Sequence, residues 1–349
     1  MPAVEKQDYA NNFDGLRLLL AMLVIWGHQD HGQQWAADAA VLSFFVLSGL
    51  LVSKSWFADP NLWRFSLRRF LRIWPGLAVV VIVCAGASYL FATGPWAAIQ
   101  RLASVFYLRN LWLHIFDWSF FPWQPTGMNG SIWTLPFEVD LYGALAILGL
   151  LGRRFFFAVI PLVWVAAFFV GPVAGTPTQL GGAWSLYFAG FFFAGASLAR
   201  WPQLLRPAVA LAVAAVGVAL LAFGQVDAGR LVLVPVATVS IGIRSWHVLR
   251  SLSRFGDLSY GAYIWAWPVQ QVTRLWLPGE LPVWVQLLVV IPQVLLVAFL
   301  SWHLVEKRAL RKKPRAGSDS TPGAAWWRLE VGSIRETREK WSRIFRRAR

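Results

Sequence analysis

Apolar runs long enough, or nearly long enough, to cross a lipid bilayer recur along almost the whole chain. A transmembrane helix needs about 20 predominantly apolar residues, and a chain that repeats such runs cannot be read as a soluble domain. We place ten runs near residues 14–30, 39–55, 75–93, 134–151, 155–171, 182–199, 207–224, 230–246, 258–276 and 283–304. The sequence therefore predicts an all-α, polytopic membrane helix bundle of about ten transmembrane helices.

Composition supports the membrane prediction. Charged residues make up 14% of the chain and hydrophobic residues 57%, whereas soluble domains carry about a quarter charged residues. The 22 Trp and 25 Phe suit long membrane–water interfaces. The net charge of +15 does not indicate nucleic-acid binding, because the cations lie between apolar runs. The single cysteine, Cys84, excludes an internal disulfide.

The charges between the runs predict the orientation. Cations concentrate in alternate loops, and short loops rich in Lys and Arg stay in the cytoplasm. One side carries Lys54, Arg64, Arg68, Arg69, Arg72, Arg153, Arg154, Arg200, Arg206, Arg244, Arg250 and Arg254. The other side carries only Arg101, Arg109, Arg230 and Arg274. With an even number of spans, both termini are expected in the cytoplasm.

The end of the chain differs in character and suggests a boundary. Residues 1–313 are expected to form the transmembrane domain, and residues 314–349 a basic cytoplasmic tail. Five apolar side chains of the tail fall roughly on one helix face, namely Trp327, Val331, Ile334, Trp341 and Phe345. This pattern favours an amphipathic helix on anionic lipid over a solvated helix. The aromatic stretch 94–130 is expected to lie on the outer membrane surface.

Ionisable residues inside the first run are candidates for function, because charges in a membrane are costly. Asp14, Arg17 and His28 lie there. Arg17 and His28 are eleven residues apart, which is almost three helical turns and about 16 Å. They therefore share one helix face, and Asp14 lies close to the same stripe. The alternative is a snorkelling arginine and an interfacial histidine at the two ends of a span.

A second candidate group lies in residues 129–138. Ser131 is expected to cap the helix that begins here, which places Glu138 about two turns inside the membrane. A buried carboxylate needs a partner, and His28 lies at a comparable depth. A histidine beside a carboxylate can act as a general base. The sequence therefore predicts that His28 and Glu138 form a pair.

Three arginines stand together before the third run, at Arg68, Arg69 and Arg72. Each alone is best explained as a charge that fixes orientation. Together, and near Arg17, they could also hold a polyanionic cofactor, because the guanidinium group matches phosphate geometry.

Six short motifs follow one another along the chain, each weak alone and specific together. They are Phe13-Asp14-Gly15-Leu16-Arg17 with His28, Phe44-Phe45-Val46-Leu47-Ser48-Gly49, Arg69-x-x-Arg72 with Pro75, Trp133-Thr134-Leu135-Pro136-Phe137-Glu138, Gly256-Asp257-Leu258-Ser259-Tyr260-Gly261, and Val305-Glu306-Lys307. In this order they resemble the membrane-bound acyltransferase 3 family, whose members O-acylate sugars of surface polysaccharides and related glycans. The resemblance covers almost all of residues 12–313.

The resemblance implies roles for the matching residues. Arg17 and His28 match the Arg and His that mark the first span of the family, and Glu138 matches its buried carboxylate. Arg69 and Arg72 match its Arg-x-x-Arg pair. Many members also carry a histidine in the ninth span where this chain has Ala266, so any role of that histidine is absent here.

These features predict a multi-pass O-acyltransferase of the bacterial inner membrane. An acyl-CoA, with acetyl-CoA expected, would place its phosphates on Arg17, Arg69 and Arg72. His28, held by Glu138, would act as general base on a hydroxyl of a glycan or lipid-linked sugar; transfer through an acyl-His28 stays open. Further contributions to substrate binding are expected from Asp14, Ser131, Trp133 and Tyr142. Membrane lipids are expected partners, and neither a metal nor nucleic acid is expected.

Two alternatives stay open at this point. A transporter or flippase of a glycan or lipid precursor has similar hydropathy, although the paired, broken spans common in transporters are not evident. A regulatory subunit without catalysis is the other, and intact Arg17, His28 and Glu138 argue against it. The sequence does not identify the acceptor or the oligomeric state.

Overall fold

The structure is a computed structural model that describes residues 4–29, 33–95, 97–113, 129–169, 183–244, 246–278 and 281–314. Within these residues the only regular elements are helices, which confirms the all-α prediction. The α-helices are α1 Val4–Gln29, α2 Gln34–Ala58, α3 Leu62–Leu90, α4 Ala97–Tyr107, α5 Leu135–Leu150, α6 Arg153–Ala166, α7 Ala183–Arg200, α8 Pro207–Ala222, α9 Val226–Ile243, α10 His247–Leu252, α11 Ser259–Arg274, α12 Val283–Ser301 and α13 Lys307–Leu310.

A helix lies at each of the ten predicted apolar runs. Five described segments are long and apolar enough to cross a membrane: Gln34–Ala58, Leu62–Leu90, Gly130–Leu150, Val226–Ile243 and Val283–Leu310. Two further apolar helices, Arg154–Phe169 and Pro207–Ala222, are shorter. The protein is a multi-pass membrane protein, while the number of ten spans and the orientation stay predictions.

Helix α2 is the central element of the bundle and packs against α1, α7 and α9. Its contact with α7 depends on two glycines. A Cβ atom on Gly49 would collide with the backbone carbonyl of Phe192, and one on Gly195 with that of Val46. Because small residues let two helix backbones approach closely inside a membrane, this crossing fixes α2 and the residues that it presents.

Helix α5 begins through a 3₁₀ turn, Gly130–Thr134, that the sequence did not predict. The side chain of Asn129 caps this turn, because its Oδ1 accepts the backbone N–H of Ser131 at 2.9 Å. The prediction that Ser131 is the cap is therefore wrong. The Ser131 hydroxyl instead accepts the backbone N–H of Trp267 at 3.2 Å, and so joins this turn to α11.

Helix α12 ends in a π-helical turn, Trp302–Glu306, before α13. Such turns are rare and often occur at functional sites. The Trp302 indole lies against Gly256, whose φ of 110° a residue with a Cβ rarely adopts. This packing brings the segment after α12 back to α3 and α11.

Two predictions fall wholly or partly outside the described residues. The amphipathic tail helix lies in residues 315–349, and part of the aromatic stretch lies in residues 114–128. The described part of that stretch contains α4, which packs on α3 and which the sequence analysis treated as loop.

Candidate active site

A cavity of about 500 Å³ lies between α1, α2, α3, α5 and α11. Along α2 its lining runs from Val41 to Leu51, a rise of about 15 Å for ten residues, so the cavity extends along the bundle. We name its two ends by their residues. The basic end comprises Asp14, Arg17, Arg72, Asp257 and Lys313, and the aromatic end comprises Val41, Phe44, Thr134 and Tyr263.

Asp257 organises the basic end. Its Oδ2 accepts a hydrogen bond from Arg72 Nη2 at 2.6 Å, and its Oδ1 accepts one from the Ser259 hydroxyl at 2.6 Å. Arg17 lies 3.8 Å from Asp257 and 3.8 Å from Asp14. Burial acts to raise the pKa of Asp257, but Arg72 and Arg17 hold this pKa below its ordinary value. The carboxylate therefore stays ionised and holds two arginines together.

Arg17 and Arg72 are both paired with Asp257. Arg69 also lines the cavity but has no carboxylate partner among the described residues. Within the described residues, no Asp or Glu oxygen lies within 4 Å of its guanidinium, and its buried Nε has no hydrogen-bond partner. The guanidinium instead lies over the rings of Phe65 and Tyr142, at 5.9 and 5.7 Å. A partly buried cation of this kind is costly unless an anion pairs with it. Arg69, which lines the cavity, is thus placed to bind an anionic ligand.

Lys313 adds a further cation at the mouth of the cavity. Desolvation there, followed by repulsion from Arg72 and Arg69, lowers the pKa of Lys313 to about 8. The lysine is therefore mostly cationic at neutral pH and becomes neutral in mildly alkaline solution.

Glu138 lies in the middle of the cavity wall and does not contact His28. It accepts hydrogen bonds from the hydroxyls of Ser48 and Tyr142, which are themselves 3.1 Å apart. Ser48 and Tyr142 are buried, so this cluster satisfies the carboxylate inside the bundle.

The side chains that line the aromatic end contact one another. The hydroxyls of Thr134 and Tyr263 are hydrogen-bonded at 2.8 Å. The ring of Phe44 lies 5.6 Å from that of Tyr263. Two hydroxyls and two rings from α2, the 3₁₀ turn before α5 and α11 therefore line the cavity here.

His28 lies beyond the aromatic end and is absent from the described cavity lining. Its Nδ1 is 2.8 Å from the carbonyl oxygen of Val24, and its ring packs edge-on against Trp267 with 5.6 Å between ring centroids. A carbonyl only accepts, so Nδ1 carries a proton, and in the neutral ring Nε2 carries the lone pair. The ring is thus oriented as a general base requires.

The predicted direct pair of His28 and Glu138 is wrong, because the two side chains lie at different depths in the bundle. Gly130 packs against Trp267, as His28 does. Glu138 lies eight residues further along, about 14 Å at the rises of 3₁₀ and α helices. It therefore reaches Ser48 of α2, while Val24 takes the orienting role that the sequence assigned to Glu138.

The other predicted site residues divide into two groups. Asp14, Arg17, Arg69, Arg72 and Tyr142 line the cavity together with Glu138. Ser131 and Trp133 do not line it; Ser131 binds the α11 backbone, and Trp133 packs against Phe137 and Phe188. The roles of both groups in binding and catalysis stay predictions.

The sequence analysis assigned no role to Ser48, Asp257 or Lys313. Ser48 and Asp257 lie within motifs that carry the resemblance, and that was a usable signal. Lys313 stands in a run of basic residues, and nothing in the run distinguishes it. No group of three side chains suited to hold a metal occurs in the described part of the chain.

Comparison with known proteins decides the family. The model of the acyltransferase 3 family, described as an acyltransferase domain, matches residues 11–303. The chain belongs to this family. It is similar to an O-acetyl transferase of Shigella phage Sf6, with 28% identity over 89% of this chain and 99% of the phage protein.

Two other relatives match a smaller part of this acyltransferase. Nodulation protein 10 of Rhizobium leguminosarum is 30% identical over 46% of this chain and 49% of its own length. The peptidoglycan O-acetyltransferase OatA of Listeria monocytogenes is 29% identical over 38% of this chain and 23% of its own length. No solved structure matches the chain.

Proposed function

We propose that this acyltransferase moves an acyl group, with acetyl expected, from cytoplasmic acyl-CoA to a hydroxyl of a glycan or lipid-linked sugar at the bacterial inner membrane. The observation that carries the proposal is the elongated cavity with cations along one part of it. Arg69, one of these cations, has no carboxylate partner among the described residues.

The charges of the cavity suit the donor. The phosphates of coenzyme A are the only strongly anionic part of an acyl-CoA, and Arg69, Arg72, Arg17 and Lys313 lie together to receive them. Arg69 would bind phosphate directly, while Arg17 and Arg72 are held in place by Asp257. The cavity is about 15 Å long along α2, of the same order as the pantetheine arm, so the thioester would lie near the aromatic end.

His28 is proposed as the general base. Trp267, which contacts the His28 ring, is four residues beyond Tyr263 on α11, about 6 Å along the axis. An acceptor hydroxyl between the thioester and His28 would give up its proton to Nε2 as its oxygen attacks the carbonyl carbon. The carbon–sulfur bond then breaks, and the proton passes to the leaving thiolate to give free coenzyme A. Glu138 would support the cavity wall through Ser48 and Tyr142.

The proposal that the acceptor is a glycan is based on the names of the related proteins. The phage relative and OatA are named as O-acetyltransferases, and OatA acts on peptidoglycan by its name. An acceptor hydroxyl that enters from the His28 side, opposite the basic end, fits a sugar presented at the outer part of the membrane. A transporter without chemistry is disfavoured by membership of an acyltransferase family.

Mass spectrometry of surface glycans tests this function directly. A deletion strain should lack an acyl mass that the parent shows, and the wild-type gene should restore it. Purified protein in vesicles should also transfer label from [¹⁴C]acetyl-CoA to a glycan fraction of the deletion strain. Identical glycans in both strains, together with no transfer in vesicles, would contradict the proposal.

A further inference from the structure

The aromatic end of the cavity has the size and chemistry of a small apolar subsite. Phe44, Val41 and Tyr263 present apolar surface there, and the Thr134–Tyr263 pair supplies the polar groups. Beyond Tyr263 the next turn of α11 carries Trp267, which is packed against His28 and Gly130. The subsite therefore lies at the end of the cavity nearer to His28.

We propose that this end is the acyl-binding subsite of the donor, and that Phe44 and Tyr263 limit the acyl group to a short chain. The proposal rests on the proposed function, because it takes an acyl-CoA as the occupant of the cavity.

The placement follows from where the charges lie. Phosphates held by Arg69 and Lys313 would fix one end of an acyl-CoA, and the cavity extends from there along α2 to the aromatic end. The acyl group is the apolar terminus of that arm, so it reaches the apolar end. There two hydroxyls form one hydrogen bond with each other, and a hydroxyl proton not used in that bond can be donated to the thioester carbonyl.

Phe44 lines the aromatic end and also packs against the hydrophobic core. It is only partly buried, because one face opens to the cavity. Its neighbour Phe45 stacks on Phe188 with 4.5 Å between centroids and is 4% exposed. Shortening Phe44 therefore enlarges the subsite, whereas shortening Phe45, which also lines the cavity, would in addition remove its stacking on Phe188.

The role of Phe44 in limiting the acyl group is tested by comparing the rates at which donors of different acyl chain length are used. Purified wild-type protein and Phe44→Ala would be compared in vesicles with acetyl-, propionyl-, butyryl- and hexanoyl-CoA at a fixed acceptor concentration. One methylene in an apolar pocket changes kcat/KM by about 10- to 200-fold. We expect Phe44→Ala to raise the ratio of butyryl to acetyl transfer at least about tenfold. Phe44→Leu should give a smaller shift in the same direction.

Leu47→Ala is the matched control. Leu47 lies on the same helix, is fully buried and is absent from the described lining. This variant should lose thermal stability and keep the wild-type acyl ratio. If Phe44→Ala does not fold, Phe44→Leu carries the test.

The outcomes separate this proposal from the proposed function. Acetyl transfer with an unchanged acyl ratio in both Phe44 variants would overturn the subsite and leave the function standing. A change confined to the KM of the acceptor would also overturn it, because the aromatic end would then bind the acceptor. Wild-type protein that uses no acyl-CoA at all would overturn the proposed function.

Discussion

The Nδ1 atom of His28 lies 2.8 Å from the backbone carbonyl oxygen of Val24, one turn earlier on the same helix. A ring held by its own helix keeps its orientation whatever the neighbouring helices do. Trp267 adds an edge-on ring contact from α11. The hydrogen bond to Val24 places the proton on Nδ1, so in the neutral ring the lone pair is on Nε2.

His28→Ala tests the general base. We expect acyl transfer to fall by a factor of about 10² to 10⁴, the usual contribution of a positioned acid or base. The variant should still insert and fold, because the substitution leaves the α1 backbone unchanged. Acyl transfer from labelled acetyl-CoA in vesicles, with thermal stability in detergent as control, measures both. Near-normal transfer would remove His28 from the mechanism.

Glu138→Gln distinguishes a wall residue from a partner of His28. Glutamine keeps a carbonyl that can accept the hydrogen bonds of Ser48 and Tyr142, so we expect a folded protein with reduced activity. The pKa seen in the dependence of kcat on pH should be that of the wild type, because Val24 orients His28. A displacement of that pKa by about one unit or more would show that Glu138 acts on the imidazole.

The positions of the main helices could be predicted, because each apolar run is a local signal for one helix. Arg17, Arg69 and Arg72 were also placed correctly at one cavity, since helical spacing and loop position are readable in the sequence. The partner of Glu138 was not predicted correctly, because His28 was expected at a comparable depth, whereas His28 packs against the same Trp267 as Gly130, which lies eight residues before Glu138. Lys313 was missed because nothing in its run of basic residues distinguishes it from its neighbours.

Arg69→Gln tests donor binding, and Arg68→Gln is its matched control. Arg69 lacks a carboxylate among the described residues, whereas Arg68 donates to Asp59 at 2.7 Å. A hydrogen bond to a charged group contributes about 1.5–3 kcal/mol, so the Kd of acyl-CoA should rise about 10- to 100-fold in Arg69→Gln. Calorimetry or competition binding measures it.

The control should behave differently from the test variant. Arg68→Gln should lower stability, because Asp59 is buried and loses a partner, and should leave the Kd of acyl-CoA near the wild-type value. Equal effects of both substitutions on the Kd would contradict a role of Arg69 in donor binding. Arg69 would then act only as a charge that fixes the orientation of the protein in the membrane.

Reporter fusions test the orientation that a cytoplasmic donor requires. The asymmetry of cations between alternate loops predicts that fusions after Ala58 and after Leu310 report the cytoplasm. A fusion after Trp118 should report the outside. Because the basic end of the cavity lies near the first two positions, two inverted results among the three would place the donor site on the wrong side for acyl-CoA.

The KM of acyl-CoA should depend on pH through Lys313. Desolvation, with repulsion from Arg72 and Arg69, lowers the pKa of this lysine to about 8. Below that pH the ammonium group is charged and attracts phosphate; above it the amine is neutral. Donor phosphates stay fully ionised above about pH 7, so KM should rise between about pH 7 and pH 9.

Three variants isolate that contribution. Lys313→Gln should show a raised KM at neutral pH with no further rise through the window, and Lys313→Arg should keep a low KM at alkaline pH, because arginine stays charged. Lys312→Gln is the control, since Lys312 is the neighbouring lysine and is absent from the described cavity lining; it should follow the wild type. Measuring KM rather than kcat at each pH separates this effect from the titration of His28. If the KM of acyl-CoA still rises with pH in Lys313→Arg, a group other than Lys313 causes the rise.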